Sequence, residues 1–251
     1  MSRTKHYFIS DLHLGASYVP DVRAHEERVV NFLRAIEDEA KTLYLLGDVL
    51  DYWFEYKTVV PRGYVRFFGQ LARMADAGTE IVWFIGNHDI WLFDYLRDEI
   101  GIRVVNTNRG GVFQRIEGTE FFLGHGDTFG RQPRSYMLMR SLFHNSFCQK
   151  LYSSIHPRWT IPFAHRWSSY SRKVGTRADA AFDAQARTST EMYARELCES
   201  SDSLRYIIIG HHHVSVDESI APGCRLIILG DWIEGGTYAV FDGCDLRLCT
   251  C

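Results

Sequence analysis

Five short apolar runs in this chain finish in the same way, and that shared ending constrains the fold more than any other feature. Phe8-Ile9-Ser10 leads into Asp11-Leu12-His13, Leu45-Leu46 into Gly47-Asp48-Val49-Leu50-Asp51, and Phe84-Ile85 into Gly86-Asn87-His88-Asp89. Phe122-Leu123 leads into Gly124-His125-Gly126-Asp127, and Ile208-Ile209 into Gly210-His211-His212-His213. Each run is strand-sized and passes through a turn, often with a glycine, to carboxylate, carboxamide or imidazole groups. Six of the eleven histidines fall in these ends. In open α/β sheets the carboxyl ends of the strands converge on one crevice, so five loops are expected to feed one polar site.

Between the runs, apolar residues recur at helical spacing: Val29, Val30, Phe32, Leu33, Ile36 and Ala40, then Val65, Phe68, Leu71, Ala72 and Ala75 ahead of Gly78. Ile81 to Ile85, Val104-Val105, Leu226 to Leu229, Tyr238 to Phe241 and Leu246 to Leu248 complete the strand-like pieces. Strands separated by helices predict a layered α/β domain with some antiparallel pairing in its later half. A chain of 251 residues, 46% hydrophobic, is long enough for one full core. Residues 1–251 therefore read as one domain, into which a helical cap is inserted at about 131–178, where no strand-like run occurs.

Charge singles out the same insert. The 51 residues from 128 to 178 carry nine cations and no acid, which leaves the other 200 at −12 within a chain of net charge −3. Nine aromatics accompany the cations: Phe129, Tyr136, Phe143, Phe147, Tyr152, Trp159, Phe163, Trp167 and Tyr170. The balance as a whole lacks the basic excess of a nucleic-acid coat protein, and no nucleic-acid partner is expected.

No apolar run approaches the roughly 18 residues of a membrane span. The first residues run straight into a strand without a leading apolar segment and cleavage site, which predicts a cytoplasmic protein. The six cysteines form no C-x-x-C pair and are expected to be small hydrophobes, bound in neither a metal site nor a disulfide.

Asp, His and Asn without Cys are nitrogen and oxygen donors suited to Mn²⁺, Fe²⁺ or Zn²⁺. Seven or eight such donors exceed what one ion takes, whereas a pair of ions about 3.5–4 Å apart sharing a carboxylate uses that number and suits phosphate-ester or diphosphate hydrolysis.

Asp11-x-His13, Gly47-Asp48-x-x-Asp51, Gly86-Asn87-His88-Asp89, Gly124-His125 and Gly210-His211-x-His213 resemble, in order and spacing, the five-part signature of the calcineurin-like metallophosphoesterases. That resemblance implies an α/β/β/α sandwich. It also implies two divalent ions, read as Mn(II): one on Asp11, His13, Asp48 and His213, the other on Asp48, Asn87, His125 and His211. Asp48 would bridge them. His88 would face the phosphoryl group, with Asp89 as its orienting partner and Asn87 and His211 also touching substrate. His212 reads as a loop residue.

Asp51-Tyr52-Trp53-Phe54-Glu55-Tyr56, Gly124-His125-Gly126-Asp127 with Tyr136, and Leu229-Gly230-Asp231-Trp232 are further similar to the branch of the family that acts on UDP-2,3-diacylglucosamine in lipid A synthesis. Many members of that branch carry Arg at the position of His88. The resemblance implies attack of a hydroxide bridging the metals on the α-phosphorus, releasing UMP and 2,3-diacylglucosamine 1-phosphate. Tyr136, Ser168, Arg172 and Lys173 would bind substrate, and Trp53 would pack either beside the site or in the core. Cap cations and aromatics would meet the diphosphate, the acyl chains and an anionic inner-membrane surface at its cytoplasmic face. A nuclease or a cyclic-nucleotide phosphodiesterase is the competing activity. A non-catalytic scaffold is disfavoured because every signature position holds a competent donor. Nothing in the sequence speaks to the oligomeric state.

Overall fold

Successive side chains along the central strands point to opposite faces, and here both faces are apolar, so each such strand must be covered on two sides. In the computed structural model β1 (Lys5–Ile9), β2 (Ala40–Leu45) and β3 (Glu80–Phe84) run parallel. Their Tyr7, Ile9, Leu43, Leu45, Ile81 and Trp83 face α1 (Val22–Ile36) and α2 (Val65–Asp76). Phe8, Tyr44, Val82 and Phe84 point the other way, into a second core. The structure describes residues 3–106, 110–130, 132–175 and 179–251, with the side chains of 167–186 outside that description.

After α3 (Tyr95–Ile100), β4 (Arg103–Val105) ends the first sheet on one side. The chain then crosses to β5 (Val112–Ile116) and β6 (Thr119–Leu123) of a second sheet. From there it makes a helical excursion of α4 (Arg134–His144), α5 (Ser146–Ser153) and α6 (Pro157–Gly175), and α7 (Asp179–Ser200) leads back. The second sheet is completed by β7 (Leu204–Ile209), β8 (Val216–Ala221) and β9 (Cys224–Ile228). The chain then returns through β10 (Thr237–Phe241) and β11 (Leu246–Thr250) to the first. The strand orders are β11-β10-β1-β2-β3-β4 and β5-β6-β7-β9-β8.

Phe121, Leu123, Ile208 and Ile227 meet Phe8, Tyr44 and Phe84 between the sheets, while Phe122, Ile207, Ile209, Leu226 and Ile228 pack under α7. Helices thus cover the outer face of each sheet, which makes the expected α/β/β/α sandwich. Strands β1, β2, β3, β6, β7 and β9 are linked by parallel pairing within their sheets, and the five polar endings follow five of them.

Four elements were invisible to periodicity. β5 and β8 are edge strands with exposed polar side chains, so neither shows a continuous apolar run. The six-residue α3 is too short to show a helical stripe, and α7 lies beyond the expected end of the insert. α1 also begins at Val22, seven residues before its apolar stripe, because Asp21 caps it by accepting from Ala24 N.

The cysteine expectation needs correction. Cys198 of α7 and Cys224 of β9, 26 residues apart in sequence, are joined in a disulfide. Packing of α7 across the second sheet brings their Cα atoms to 6.3 Å, a tertiary proximity that spacing along the chain does not reveal. Trp53 resolves to the core, fully buried against Tyr64, Phe68 and Tyr95.

Phe8 stacks on Tyr44 with ring centroids 4.8 Å apart and on Phe121 at 5.9 Å, bridging the two sheets. Phe8→Ala is expected to destabilise the fold by about 3–5 kcal/mol, read as a lower denaturant midpoint with an unchanged slope.

Candidate metal centre

The polar endings place unusual backbone. Asp11, His13, Asp48, His211 and His213 all have positive φ, between 44° and 71°. A side chain in that region costs about 1–2 kcal/mol per residue, so the surrounding structure must hold these turns in place. Asp11 N donates to Gly47 O (3.1 Å) and His13 N to Asp48 O (3.0 Å), tying the β1 ending to the β2 ending. His211 N donates to Asp11 Oδ2 (2.8 Å) and joins the two sheets at the site itself.

Two glycines let carboxylates approach the backbone. A Cβ on Gly86 would lie 2.2 Å from Asp48 Oδ1, and one on Gly210 would lie 2.3 Å from Asp11 Oδ2. The neighbouring His88 N then donates to Asp48 Oδ1 at 2.8 Å.

Among the described residues, three groups bring donor atoms within 4.8 Å of one another: Asp11, His13 and His213; Asp48, His125 and His211; and His13, Asp51 and His88. Within the first, Asp11 Oδ1 lies 3.7 Å from His13 Nε2 and 3.6 Å from His213 Nε2. Asp48 Oδ2 lies 3.3 Å from His125 Nε2 and 4.0 Å from His13 Nε2, so one oxygen faces both of the first two groups. Asn87 Oδ1 is 3.2 Å from His125 Nε2. An ion with bonds of about 2.1 Å holds neighbouring donors about 3.0–3.5 Å apart, close to these spacings.

One atom marks the fit. Asp11 Oδ1 is buried and accepts no hydrogen bond, whereas its Oδ2 takes Ser10 Oγ (2.6 Å) and His211 N. A buried carboxylate oxygen left bare is costly, and a cation held by Asp11, His13 and His213 would satisfy it. The donor set, nitrogen and oxygen without sulfur, suits a divalent ion of intermediate hardness.

The ring orientations agree. His125 Nδ1 donates to Leu46 O (2.9 Å) and His213 Nδ1 faces Asp231 Oδ2 (3.3 Å), which leaves Nε2 of each toward the carboxylates. In the third group, His13 Nδ1 and His88 Nδ1 each lie 3.6 Å from Asp51 Oδ1. His13 already turns Nε2 to Asp11, so Asp51 braces the rings from behind.

Asp89 does not orient His88, contrary to the sequence expectation. Its buried carboxylate accepts from Gly86 N (2.7 Å), Val49 N (2.9 Å), Asp48 N (3.3 Å) and Trp83 Nε1 (3.1 Å), clamping the β2 ending to the β3 ending. His88 Nδ1 instead donates to Asp51 O at 2.9 Å, which turns Nε2 toward Asp48 Oδ2, 3.9 Å away. The sequence pattern included Asp51 but gave it no task.

Electrostatics follow the crowding of acids and imidazoles. Burial opposes ionisation of Asp48, yet His125 and His88 beside it hold its carboxyl well below the usual carboxylate range. Burial would lower His13, but Asp11 and Asp51 outweigh it and raise the ring to about 9. His211 drops to about 3, through burial and the neighbouring His125. Burial also lowers His88, against the pull of Asp48.

A cavity of about 530 Å³ opens beside Asn87, His88 and Asp51 and runs along α4–α6 between Trp91, Met139, Leu142, Phe143, Tyr152 and Phe163. Tyr136 and Arg140 also line it, and Asp127, two residues after His125, holds both: Tyr136 Oη donates at 2.9 Å and Arg140 Nε at 3.0 Å. Arg140 was not singled out by sequence. A buried Arg on a helix gives no local signal until Asp127 is seen opposite it. Ser168, Arg172 and Lys173 fall on the later half of α6, and their side chains lie outside the described residues. His212 Nε2 lies 3.0 Å from Thr190 Oγ1, on the α7 side of its loop.

Nitrogen and oxygen donors gathered around a shared carboxylate, at the carboxyl edge of a two-sheet sandwich, define a phosphoesterase that works with divalent metals. Residues 4–215 match the calcineurin-like phosphoesterase family, and the chain belongs to it. Among curated relatives it is 40% identical to a UDP-2,3-diacylglucosamine hydrolase of Porphyromonas gingivalis, over 98% of this chain and 97% of that one. It is 27% identical to the enzyme of the same name from a Shewanella species (96% and 95% covered) and 28% identical to that of Ralstonia nicotianae (90% and 83%).

Two outcomes test this geometry. Gly86→Ala is expected to push the Asp48 carboxylate away and cut bound metal well below wild type, measured by elemental analysis of purified protein. Because His13 is held protonated up to about pH 9 without metal, binding must release its proton. Affinity for Mn²⁺ should therefore rise with pH between 6 and 9, and calorimetry in buffers of different ionisation enthalpy should show proton release.

Proposed function

We propose that this protein hydrolyses the diphosphate of UDP-2,3-diacylglucosamine to UMP and 2,3-diacylglucosamine 1-phosphate, a step of lipid A synthesis. The observation that carries the reading is the continuity of the polar centre with a cavity walled by apolar side chains. A substrate with a charged diphosphate and two acyl chains needs both in one place. The near full-length similarity to relatives bearing that name supports the same substrate.

In this reading Asp11, His13, Asp48 and His213 hold one divalent ion and Asp48, Asn87, His125 and His211 the other, with Mn(II) as the cellular metal. When bound, such a pair activates a water molecule and neutralises charge on the phosphoryl oxygens. His88 keeps Nδ1 on the Asp51 carbonyl, so Nε2 is the atom that takes up or gives a proton beside the phosphoryl group. Tyr136 and Arg140, pinned by Asp127, orient the diphosphate. Asn87 and His211 sit at the same end of the cavity. Ser168, Arg172 and Lys173 would also bind substrate, and α4–α6 form a cap whose inner face excludes water from the acyl chains.

The outer face of those helices supports docking on a membrane. Leu138, Phe147, Leu151 and Trp159 are each more than 60% exposed, interspersed with Lys150 and Arg158. Clustered apolar side chains with cations suit the surface of an anionic bilayer. No helix among the described residues is long and apolar enough to cross a membrane. In this reading the protein works at the cytoplasmic face of the inner membrane, bound peripherally.

Release of UMP from detergent-solubilised UDP-2,3-diacylglucosamine during a Mn²⁺ titration tests the activity, with single-stranded DNA and a cyclic nucleotide as competing substrates. Turnover of either competitor in preference to the lipid would overturn the assignment. Asp48→Ala should lose more than about 100-fold in rate, beyond the range of an outer partner of a metal ligand. His88→Ala should keep its metal and lower kcat by about 10²–10⁴-fold. Phe147→Glu combined with Trp159→Glu should reduce co-flotation with phosphatidylglycerol-containing vesicles.

A further inference from the structure

The segment Asp51–Tyr56 follows the Asp48 turn directly, and three of its polar side chains reach the helical excursion. Tyr52 Oη lies 3.0 Å from Tyr152 Oη of α5, and Tyr56 Oη hydrogen-bonds to Thr160 Oγ1 of α6. The third contact touches the chemistry. His165, on α6, places Nδ1 3.9 Å from Asp51 Oδ2 and sets its ring edge against Tyr52 at a centroid distance of 5.7 Å.

Asp51 is thereby surrounded. Its Oδ1 faces Nδ1 of both His13 and His88 at 3.6 Å, its Oδ2 faces His165, and its carbonyl accepts from His88 Nδ1. One buried residue stands behind two rings: its carboxylate faces Nδ1 of His13 beside Asp11, and its carbonyl holds Nδ1 of the ring that faces the phosphoryl group. Whatever fixes Asp51 bears on both. The other two neighbours belong to the sandwich; His165 alone of the three imidazoles arrives on α6.

From this we infer that His165 is a positioning residue for the reaction: held on α6 beside the Asp51 carboxylate, it fixes that residue and, through its carbonyl, the catalytic orientation of His88. The inference rests on the metallophosphoesterase reading and does not depend on the lipid. A docked α6 completes the His88 arrangement, so the helices that would bind the acyl chains also prepare the phosphoryl site. Side-chain partners that orient the groups around a metal centre are worth about 10–100-fold in activity when removed.

The test uses a small chromogenic phosphodiester, which does not need the apolar cavity, and two replacements. His165→Phe keeps a ring on Tyr52 but places no polar nitrogen beside the Asp51 carboxylate. His165→Asn presents an amide nitrogen near the position of Nδ1. His165→Phe should lose about 10-fold or more in kcat with KM nearly unchanged, and His165→Asn should regain most of it. In metal-free, ¹⁵N-histidine-labelled protein, the Nδ1–H resonance of His88 should broaden by solvent exchange in His165→Phe and sharpen again in His165→Asn. Wild-type kcat and an unchanged resonance in His165→Phe would overturn the inference, as would a loss confined to KM for the lipid substrate. Failure of the lipid assignment would instead show as absent UMP release by the wild-type protein.

Discussion

Everything at the functional end of this molecule depends on crowding buried carboxylates against imidazoles. Asp11, Asp48 and Asp51 are all fully or nearly fully buried, with His13 and His125 equally so and His88, His211 and His213 at the rim. Without cations, protons on the imidazoles supply part of the balancing charge, which is why His13 is raised and Asp48 lowered. One oxygen of Asp11 still lacks a partner. Divalent ions would remove both problems together, taking the place of the protons and satisfying the bare oxygen. The site is therefore built for cations in the same physical sense that a core is built for apolar side chains.

Holding that arrangement has a conformational cost. Five residues with their side chains in the two donor groups stand in the left-handed region, and nothing in their own chemistry prefers it strongly. The frame supplies what the turns lack. Parallel strands buried on both faces fix where each turn starts, the Gly47 and Asp48 carbonyls accept from the β1 ending, and Asp89 gathers three backbone N–H groups and an indole from the β2 and β3 side. Asp89 resembles a catalytic acid in sequence and acts as a structural clamp, while Asp51 carries the orienting task. The two are distinguishable only by which donors lie within reach: backbone amides for one, imidazole Nδ1 atoms for the other.

The strands and the donors were legible in the sequence for a common reason. A parallel strand covered on both faces must be apolar at every position, and its loop then presents polar groups at once, so Phe84-Ile85-Gly86-Asn87-His88 announces itself without help from distant residues. Edge strands such as β5 and β8 alternate weakly and were hidden, because solvent on one side relaxes the pattern. The Cys198–Cys224 pair, the Asp127 anchor for Tyr136 and Arg140, and the approach of His165 to Asp51 were hidden for a second reason. Each joins residues whose proximity exists only after sheets and helices have packed, and neither spacing nor composition encodes such a meeting.

That division has a functional counterpart. The metal-binding turns sit on a doubly covered sandwich where small displacements are resisted by close packing, which suits chemistry requiring fixed distances. The cavity wall comes from α4–α6, which meet the sandwich through polar side chains on Asp51, Tyr52, Tyr56 and Asp127 and through Phe54 and Trp91 packed on Tyr152 and Phe143. Apolar walls tolerate variation in chain length and shape, whereas the phosphoryl site does not. Placing Asp51 where both regions meet lets one residue answer to each: its backbone and position belong to the rigid sheet edge, and its Oδ2 faces the helices that wall the cavity. Discrimination between a lipid-linked diphosphate and a small phosphodiester would then arise from how fully α6 is seated when the phosphoryl group arrives, with the same donors serving both.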